Sequence, residues 1–397
     1  MPEKPKEENK RSIRAFAWAS FLNDFGSDMI YPVWPLFVTS VMGANMAMLG
    51  LIDGLGETFV SISKAISGYI SDRIRKRKFF IWSGYILGSI SRFGYALAPA
   101  WQWLIPLKIL DRSGKIRSAP RDALVADIST DQNRGGNFGL MKAMDNLGAV
   151  CGIVVCLLLF EHIGFTNLFL IAALPSLASA FLIYKYIKEN KISDKKLFAD
   201  FTFKDLDANF KLFLILNSVF TLGAFSYSFL LIFAGKSGFK ATYLPIFYLI
   251  ITVTAAIFSL PMGKLSDKIG RKNLMYLAFI LWAAICISFI LSTNSIVVIA
   301  AFVLYGLHKA ALETVQKTYT SELCPECFRA TGLGVFQMAI GICALPASLI
   351  AGFLWDKINM QAPFYLSLVL SLVACFMLLF LKEDSCNTGK KMPINFS

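Results

Sequence analysis

Apolar stretches of about 20 residues recur along the whole 397-residue chain, and this recurrence limits what it can fold into more than any other feature. A hydrocarbon core about 30 Å thick is crossed by roughly 20 residues of helix. Twelve such stretches can be placed, at about 15–39, 48–71, 79–98, 103–127, 135–160, 166–187, 209–234, 242–265, 274–292, 296–322, 330–354 and 362–382. Composition agrees, since 56% of the residues are hydrophobic and only 16% charged, against about 25% charged in a typical soluble domain. The expected fold is an all-α integral membrane protein with twelve transmembrane helices. The start, MPEKPKEENKRSIR, is a basic tail. The apolar stretch after it contains Asp24 and Asp28 and exceeds the length of a signal-peptide core, so it reads as an uncleaved first helix.

Lys and Arg total 39 against 26 Asp and Glu, a net charge of +13 that in a soluble chain would suggest nucleic acid. Here the placement of the charge argues against that partner. With the N-terminus cytoplasmic, about 26 basic residues fall in tails and cytoplasmic loops, three (Lys236, Lys240 and Lys357) fall on the far side, and ten lie inside spans. The excess of positive charge on one side places both ends in the cytoplasm, in the inner (cell) membrane. The eight cysteines lie mostly in apolar segments, and no disulfide framework is suggested. Cys324 and Cys327 form a lone C-P-E-C without a second ligand pair, so a zinc site is not expected. No P-loop, metal cluster or nucleophile triad stands out, so no cofactor, no enzymatic activity and no nucleotide-driven transport are expected.

The two halves of the chain repeat. Gly68-Tyr-Ile-Ser-Asp72-Arg73 matches Gly263-Lys-Leu-Ser-Asp267-Lys268 at an offset of 195 residues, and the same offset pairs Asp127 with Glu322, Arg134 with Arg329 and Gly139 with Gly334. The expected organisation is a tail (1–14), a six-helix bundle (15–187), a Lys-rich cytoplasmic linker (188–208), a second six-helix bundle (209–382) and a tail (383–397). In such parallel repeats the substrate sits near the bilayer midplane between the halves.

On these motifs the sequence resembles the major facilitator superfamily (MFS) over essentially its whole length, as a bacterial-type twelve-helix permease. The hallmark of that family is G-x-x-x-D-R/K-x-G-R-K/R between the second and third helices. The second half carries it as Gly263, Asp267, Lys268, Gly270, Arg271 and Lys272; the first half has Gly68, Asp72, Arg73, Lys76 and Arg77, with Arg75 where Gly is usual. The resemblance implies that the Gly permits close helix contact. It also implies that the Asp accepts from helix amides and basic side chains, a latch that must break for the halves to rock. Two departures are visible. Lys108 stands where the fourth helix of the family usually opens an R-x-x-x-x-x-G pattern on Gly114. Gly148-Ala-Val-Cys-Gly152-Ile153 lacks the Pro of the G-x-x-x-G-P run of drug antiporters.

Ionisable residues inside spans cost roughly 2.5 to 3.5 kcal/mol each at a helix centre. Ten basic and eight acidic positions fall there, so they must pair or line water. Asp24 and Asp28 are one turn apart on the first span; Asp53, Glu57 and Lys64 share a face of the second; Lys108, Asp111, Arg112, Lys115 and Asp122 share an arc of the fourth on an ideal helix. Arg117 and Arg121 point to the opposite side of that helix, and Pro120 is a candidate kink. Lys309, Glu313 and Lys317 form a stripe on the tenth span, with His308 beside it. The resemblance implies that spans 1, 4, 7 and 10 line the central path.

The candidate substrate-binding set is Arg112, Lys115, Lys108, Tyr31, Lys309 and Glu313. Asp24, Asp28 and Glu57 are candidates for proton coupling, or else the partners of Arg112, Lys115 and Lys64. Excess basic charge on the fourth span points to an anionic group on the solute, and Arg suits carboxylate or phosphate. Trp34, Tyr31, Trp101 and Trp103 lie near predicted span ends, where an interfacial aromatic belt is expected. Tyr227, Phe225 and Tyr305 are candidate lining from the second half. The function expected is proton-coupled secondary transport of a small polar, anionic solute by a monomer, a carboxylate metabolite or siderophore-like chelate fitting the basic span. The alternatives are proton-driven multidrug efflux and, in another class, a transport-like sensor or assembly protein without flux.

Overall fold

The structure, a computed structural model, describes residues 4–74, 76–129, 134–187, 207–324 and 329–382. The side chains of Gly68, Asp72 and Arg73 lie outside the described residues, as do Cys327 and most of the linker. Among the described residues the chain is helical throughout, and its helices run in the order expected. The first half holds α1 (Lys4–Ile30), α2 (Met46–Ile74), α3 (Arg77–Leu97), a broken α4, and α5 and α6, which share the stretch Arg134–Tyr186. Gly164, at φ +69°, turns the chain between α5 and α6; a side chain is strained in that left-handed region, and glycine is not. The second half holds a broken α7 (Ala208–Gly223 and Tyr227–Lys236), α8 (Leu244–Ile269), α9 (Arg271–Leu291), α10 (Ser295–Leu323), α11 (Arg329–Lys357) and α12 (Ala362–Leu379).

Counted this way there are twelve spans among the described residues, so the start of α1 and the end of α12 fall on one side. By length and composition alone, eight stretches are apolar enough to cross a membrane, α5 and α6 together forming one of them. The three spans outside that set are α1, α3 and α4, which carry much of the buried charge. α4 is dense in charge from Lys108 to Asp122, and it is also broken: Leu104–Ser113 passes through a 3₁₀ turn at Gly114–Arg117 before Ser118–Ile128 resumes the α-helix. Pro120 is not the cause, because it sits in the first turn of the second piece, where its missing N–H is harmless.

Small residues let the helices approach closely, the usual device where lipid removes the hydrophobic drive for helix association. Within the first half, a Cβ at Gly148 or Gly152 of α5 would strike the carbonyl groups of Phe21 and Phe25 on α1. Between the halves, α2 lies along α11. A Cβ on Gly54 would come within 2.8 Å of Leu345 Cα, and Gly50, Gly341 and Gly352 are similarly confined. The second half has an aromatic core in which Phe220 stacks on Phe279 at 4.3 Å, and Trp282 packs on Phe225 and His308. Large apolar side chains such as Leu158, Phe181, Leu260, Ile280 and Phe376 face outward, as a lipid-covered surface requires.

Candidate functional site

Polar side chains from α1, α2, α4, α7, α8 and α10 meet between the halves at mid-depth. Arg112 is the centre of this group. Its Nη1 donates to the Tyr31 hydroxyl at 3.2 Å and its guanidinium lies over the Tyr31 ring at 5.0 Å. Its remaining charge is met loosely: Glu57 and Asp111 are each 3.8 Å away, and Nε has no hydrogen-bond partner. Glu57 is 57% exposed while Arg112 is only 12% exposed, so the weakly held partner faces open space and the cation is fixed behind it. Lys115, one turn further along, makes no hydrogen bond or ion pair among the described residues. Asp28 feels the charges of Asp24, Lys115 and Lys309, and accepts from the Tyr248 hydroxyl of α8 at 3.3 Å. Asp24 accepts from Asn23 at 2.8 Å. On α10, Lys309 and Glu313 approach to 4.0 Å with both side chains about half exposed.

Lys108 occupies a different environment. It is buried, 3.5 Å from Asp53 and 3.9 Å above the Trp34 ring. Asp53 also accepts from Trp34 Nε1 at 3.0 Å and from Ser226 and Ser228 of α7 at 2.8 and 2.5 Å. Trp34 and Tyr31 are therefore not interfacial anchors. The helix of α1 is continued by a short turn at Trp34–Leu36 and a π turn at Phe37–Val41, which carry the chain on past these side chains and leave them inside the bundle. Trp103 is 59% exposed, as a belt residue should be.

Arg117 and Arg121 stay inside the first half. Arg117 lies over the Tyr85 ring at 4.8 Å, and Arg121 bonds Asp122 and Ser20 at 2.9 and 2.8 Å. This is the side, opposite the cleft-facing arc, that an ideal helix gives them, although Gly114–Arg117 is a 3₁₀ turn. His308 is a core residue, its Nδ1 2.8 Å from the Ala278 carbonyl. Arg92, a buried charge of α3, bonds Ser27 of α1 at 2.6 Å and Ser176 and Ala172 of α6, tying three helices together.

The repeated motif lies near the side that carries the termini. In the second half, Arg271 bridges Asp267 at 2.6 Å and Glu322 at 2.8 Å, Gly270 turns at φ +90°, and Lys272 donates to the Leu379 and Leu381 carbonyls. Lys268 is exposed. In the first half Arg77 pairs with Asp127, and Lys76 is exposed beside it. Asp127 and Glu322 are the residues matched by the 195-residue offset, so each half ties the start of its third helix to the end of its fourth. The Arg77–Asp127 and Arg271–Glu322 ties each stay within one half. Nor does Gly263 serve close packing in this conformation: a Cβ there would meet only Thr314, at 3.8 Å.

The polar ties across the interface lie from mid-depth to the opposite end. They include the Met46 and Ala47 amides to Asp356, Ser226 and Ser228 to Asp53, Tyr227 to the Tyr31 carbonyl at 3.2 Å, Tyr248 to Asp28, and Thr58 to the Gly341 carbonyl at 2.6 Å. At the depth of Thr58 and beyond it, Glu57, Lys309, Glu313 and Lys317 are exposed. The central space thus opens toward the side of the termini and is closed on the other. A separate cavity of about 740 Å³ at the closed end is lined by Thr39, Asn45, Lys236, Trp355 and Asp356 among others. Sequence reasoning did not find Ser226, Ser228 or Tyr248; only the hydroxyl-rich run Ser226-Tyr227-Ser228 in an apolar stretch hinted at the first two.

Two bundles of six helices with a charged cleft between them, open at one end, are the architecture of a multi-pass membrane transporter. The chain belongs to the Major Facilitator Superfamily, whose model matches residues 16–253 and 213–392. An uncharacterised MFS-type transporter of Methanocaldococcus jannaschii is 35% identical over 94% of this chain and 96% of its own length. The multi-drug resistance efflux pump PmrA of Streptococcus pneumoniae is 25% identical over 68% of this chain and 70% of its own. A crystal structure of the nucleoside transporter NupG superposes with a TM-score of 0.81 at 14% identity, over 94% of this chain and all of that one. A POT family transporter crystallised with a thioalcohol-conjugated peptide gives 0.76 at 14% identity, over 93% and 95%. At such identities the solved structures speak for the fold alone.

Proposed function

We propose that this chain moves a small polar solute bearing an anionic group across the cell membrane by alternating access, coupled to protons. The observation that carries the reading is Arg112, fixed by Tyr31 at the centre of the cleft, its charge met by no carboxylate closer than 3.8 Å and faced by the exposed Glu57. An entering carboxylate or phosphate displaces Glu57 and takes up the guanidinium, with Lys115 one turn away adding a second positive charge. Charge-assisted bonds of this type are about twice as strong as neutral ones. Lys309 and Glu313 face the same cleft from the other half, so the solute contacts both halves, as rocking around a central site requires.

Asp24, Asp28 and Glu57 are the proposed coupling groups, because they sit on the cleft-facing helices beside these cations and their loading depends on which side the cleft faces. Lys108 is withdrawn from the binding set in this reading, since its charge is spent on Asp53. Both termini are taken as cytoplasmic from the loop charges. Purified protein in proteoliposomes, given an imposed pH gradient and a panel of carboxylates, phosphates and chelates, is expected to accumulate at least one of them. Arg112→Ala is expected to abolish that uptake, and Asp28→Asn to uncouple it from the gradient. The similarity to an efflux pump makes drug export the rival: it predicts flux of cationic amphiphiles that survives Arg112→Ala.

A further inference from the structure

Asp53 and Asp356 each place a carboxylate on a helix start in the opposite half. Asp53, on α2, divides its two oxygens between the halves. Oδ1 receives Trp34 Nε1 and lies beside Lys108, both in its own half; Oδ2 receives the hydroxyls of Ser226 and Ser228 from the other. Ser226 caps the second piece of α7, accepting from the Ser228 amide at 3.3 Å, so the break in α7 is what brings both hydroxyls and a positive helix end to the carboxylate. Lys108, the ionic partner of Asp53, also has Arg112 and Asp111 of α4 and Glu57 of α2 near it, and Tyr227 of α7 is near Asp53.

Asp356 does the converse. Standing at the end of α11, it accepts from the backbone amides of Met46 and Ala47 at 3.2 and 2.8 Å and caps α2. Gly352, one turn before it, lets α11 approach Met46 without a side chain between. The two ties run in opposite directions across the same face, both on the closed side of the Arg112 cleft.

We propose that Asp53 and Asp356 are a reciprocal pair of positioning residues that hold the face away from the termini shut, each acting on a helix start of the other half, with Lys108 and Trp34 keeping Asp53 in place. This rests on the alternating-access reading above. Opening that face breaks four bonds to two carboxylates together, so the closed state is favoured until the halves move as units.

The test reads distance, not flux. Spin labels on Ser40→Cys and Lys240→Cys, at the closed ends of opposite halves, are placed in protein whose eight native cysteines have been replaced, reconstituted in lipid. The parent protein is expected to give mainly a short distance. Asp356→Ala and Ser228→Ala are each expected to raise the longer-distance population on the order of tenfold, the factor for losing charge-assisted bonds. Ser228→Thr, which keeps the hydroxyl, is expected to restore the parent distribution. Both residues permit folding: Asp356 is exposed, and Ser228→Ala leaves Asp53 its bond from Trp34 and its Lys108 pair. Unmoved distances in the single variants and in their combination overturn the proposal. Because no solute is needed, distances that shift in protein with no flux overturn the transport reading and leave the locks standing.

Discussion

A methyl group added at Gly54 tests how the halves meet. A Cβ at that position would sit 2.8 Å from Leu345 Cα, 3.0 Å from the Leu345 carbonyl oxygen and 3.1 Å from that of Ala344. All three are backbone atoms of α11, so no side chain can swing away. Reaching ordinary contact, which begins near 3.4 Å, requires about 0.6 Å of separation between α2 and α11. Overpacking of this kind costs about 1–3 kcal/mol, and because the two helices belong to opposite halves the cost falls on the closed interface. It corresponds to about a 5- to 150-fold shift toward states in which the halves are apart. Gly54→Ala is therefore expected to lower the melting temperature in detergent and to raise the longer-distance population of the Ser40 and Lys240 spin labels. Gly263→Ala is the matched control, since its methyl meets only Thr314 at 3.8 Å. If Gly54→Ala is as silent as Gly263→Ala in both assays, α2 and α11 are not packed backbone to backbone at Gly54.

Other perturbations separate buried from exposed ties. Arg92→Met strips the donor from Ser27, Ser176 and Ala172 and is expected to cost about 3 kcal/mol or more, visible as a clear fall in thermal stability. Glu322→Gln weakens a partly exposed pair with Arg271 and is expected to cost about 0–1 kcal/mol; a large fall in melting temperature would show that the motif carries more than its geometry suggests. Trp34→Phe keeps the ring but removes the 3.0 Å bond to Asp53, and is expected to raise the open population of the Ser40 and Lys240 labels without unfolding the protein.

The sequence made the frame legible because lipid allows few solutions: twelve apolar stretches with loop charges on one side leave little besides a helical bundle. The 195-residue repeat also carried over into contacts, since Arg77 to Asp127 and Arg271 to Glu322 turned out to be equivalent ties. What stayed hidden came from partners far apart in the chain and from departures from ideal helix geometry. Asp53 stood out as a buried charge, yet Ser226 and Ser228, 173 and 175 residues away, gave no pairwise signal. Trp34 resembled an anchor because it lies near the end of an apolar run, while the turns that continue α1 bury it. The repeated motif was legible as a latch, and the ties it shows, Arg77 to Asp127 and Arg271 to Glu322, each hold a third helix to a fourth within one half.

The most direct test of the central claim is solute uptake into proteoliposomes under an imposed pH gradient, parent protein against Arg112→Ala. The account predicts gradient-dependent accumulation of a carboxylate, phosphate or chelate that disappears in the variant while the protein remains folded. Flux confined to cationic amphiphiles, with Arg112→Ala unaffected, would contradict it.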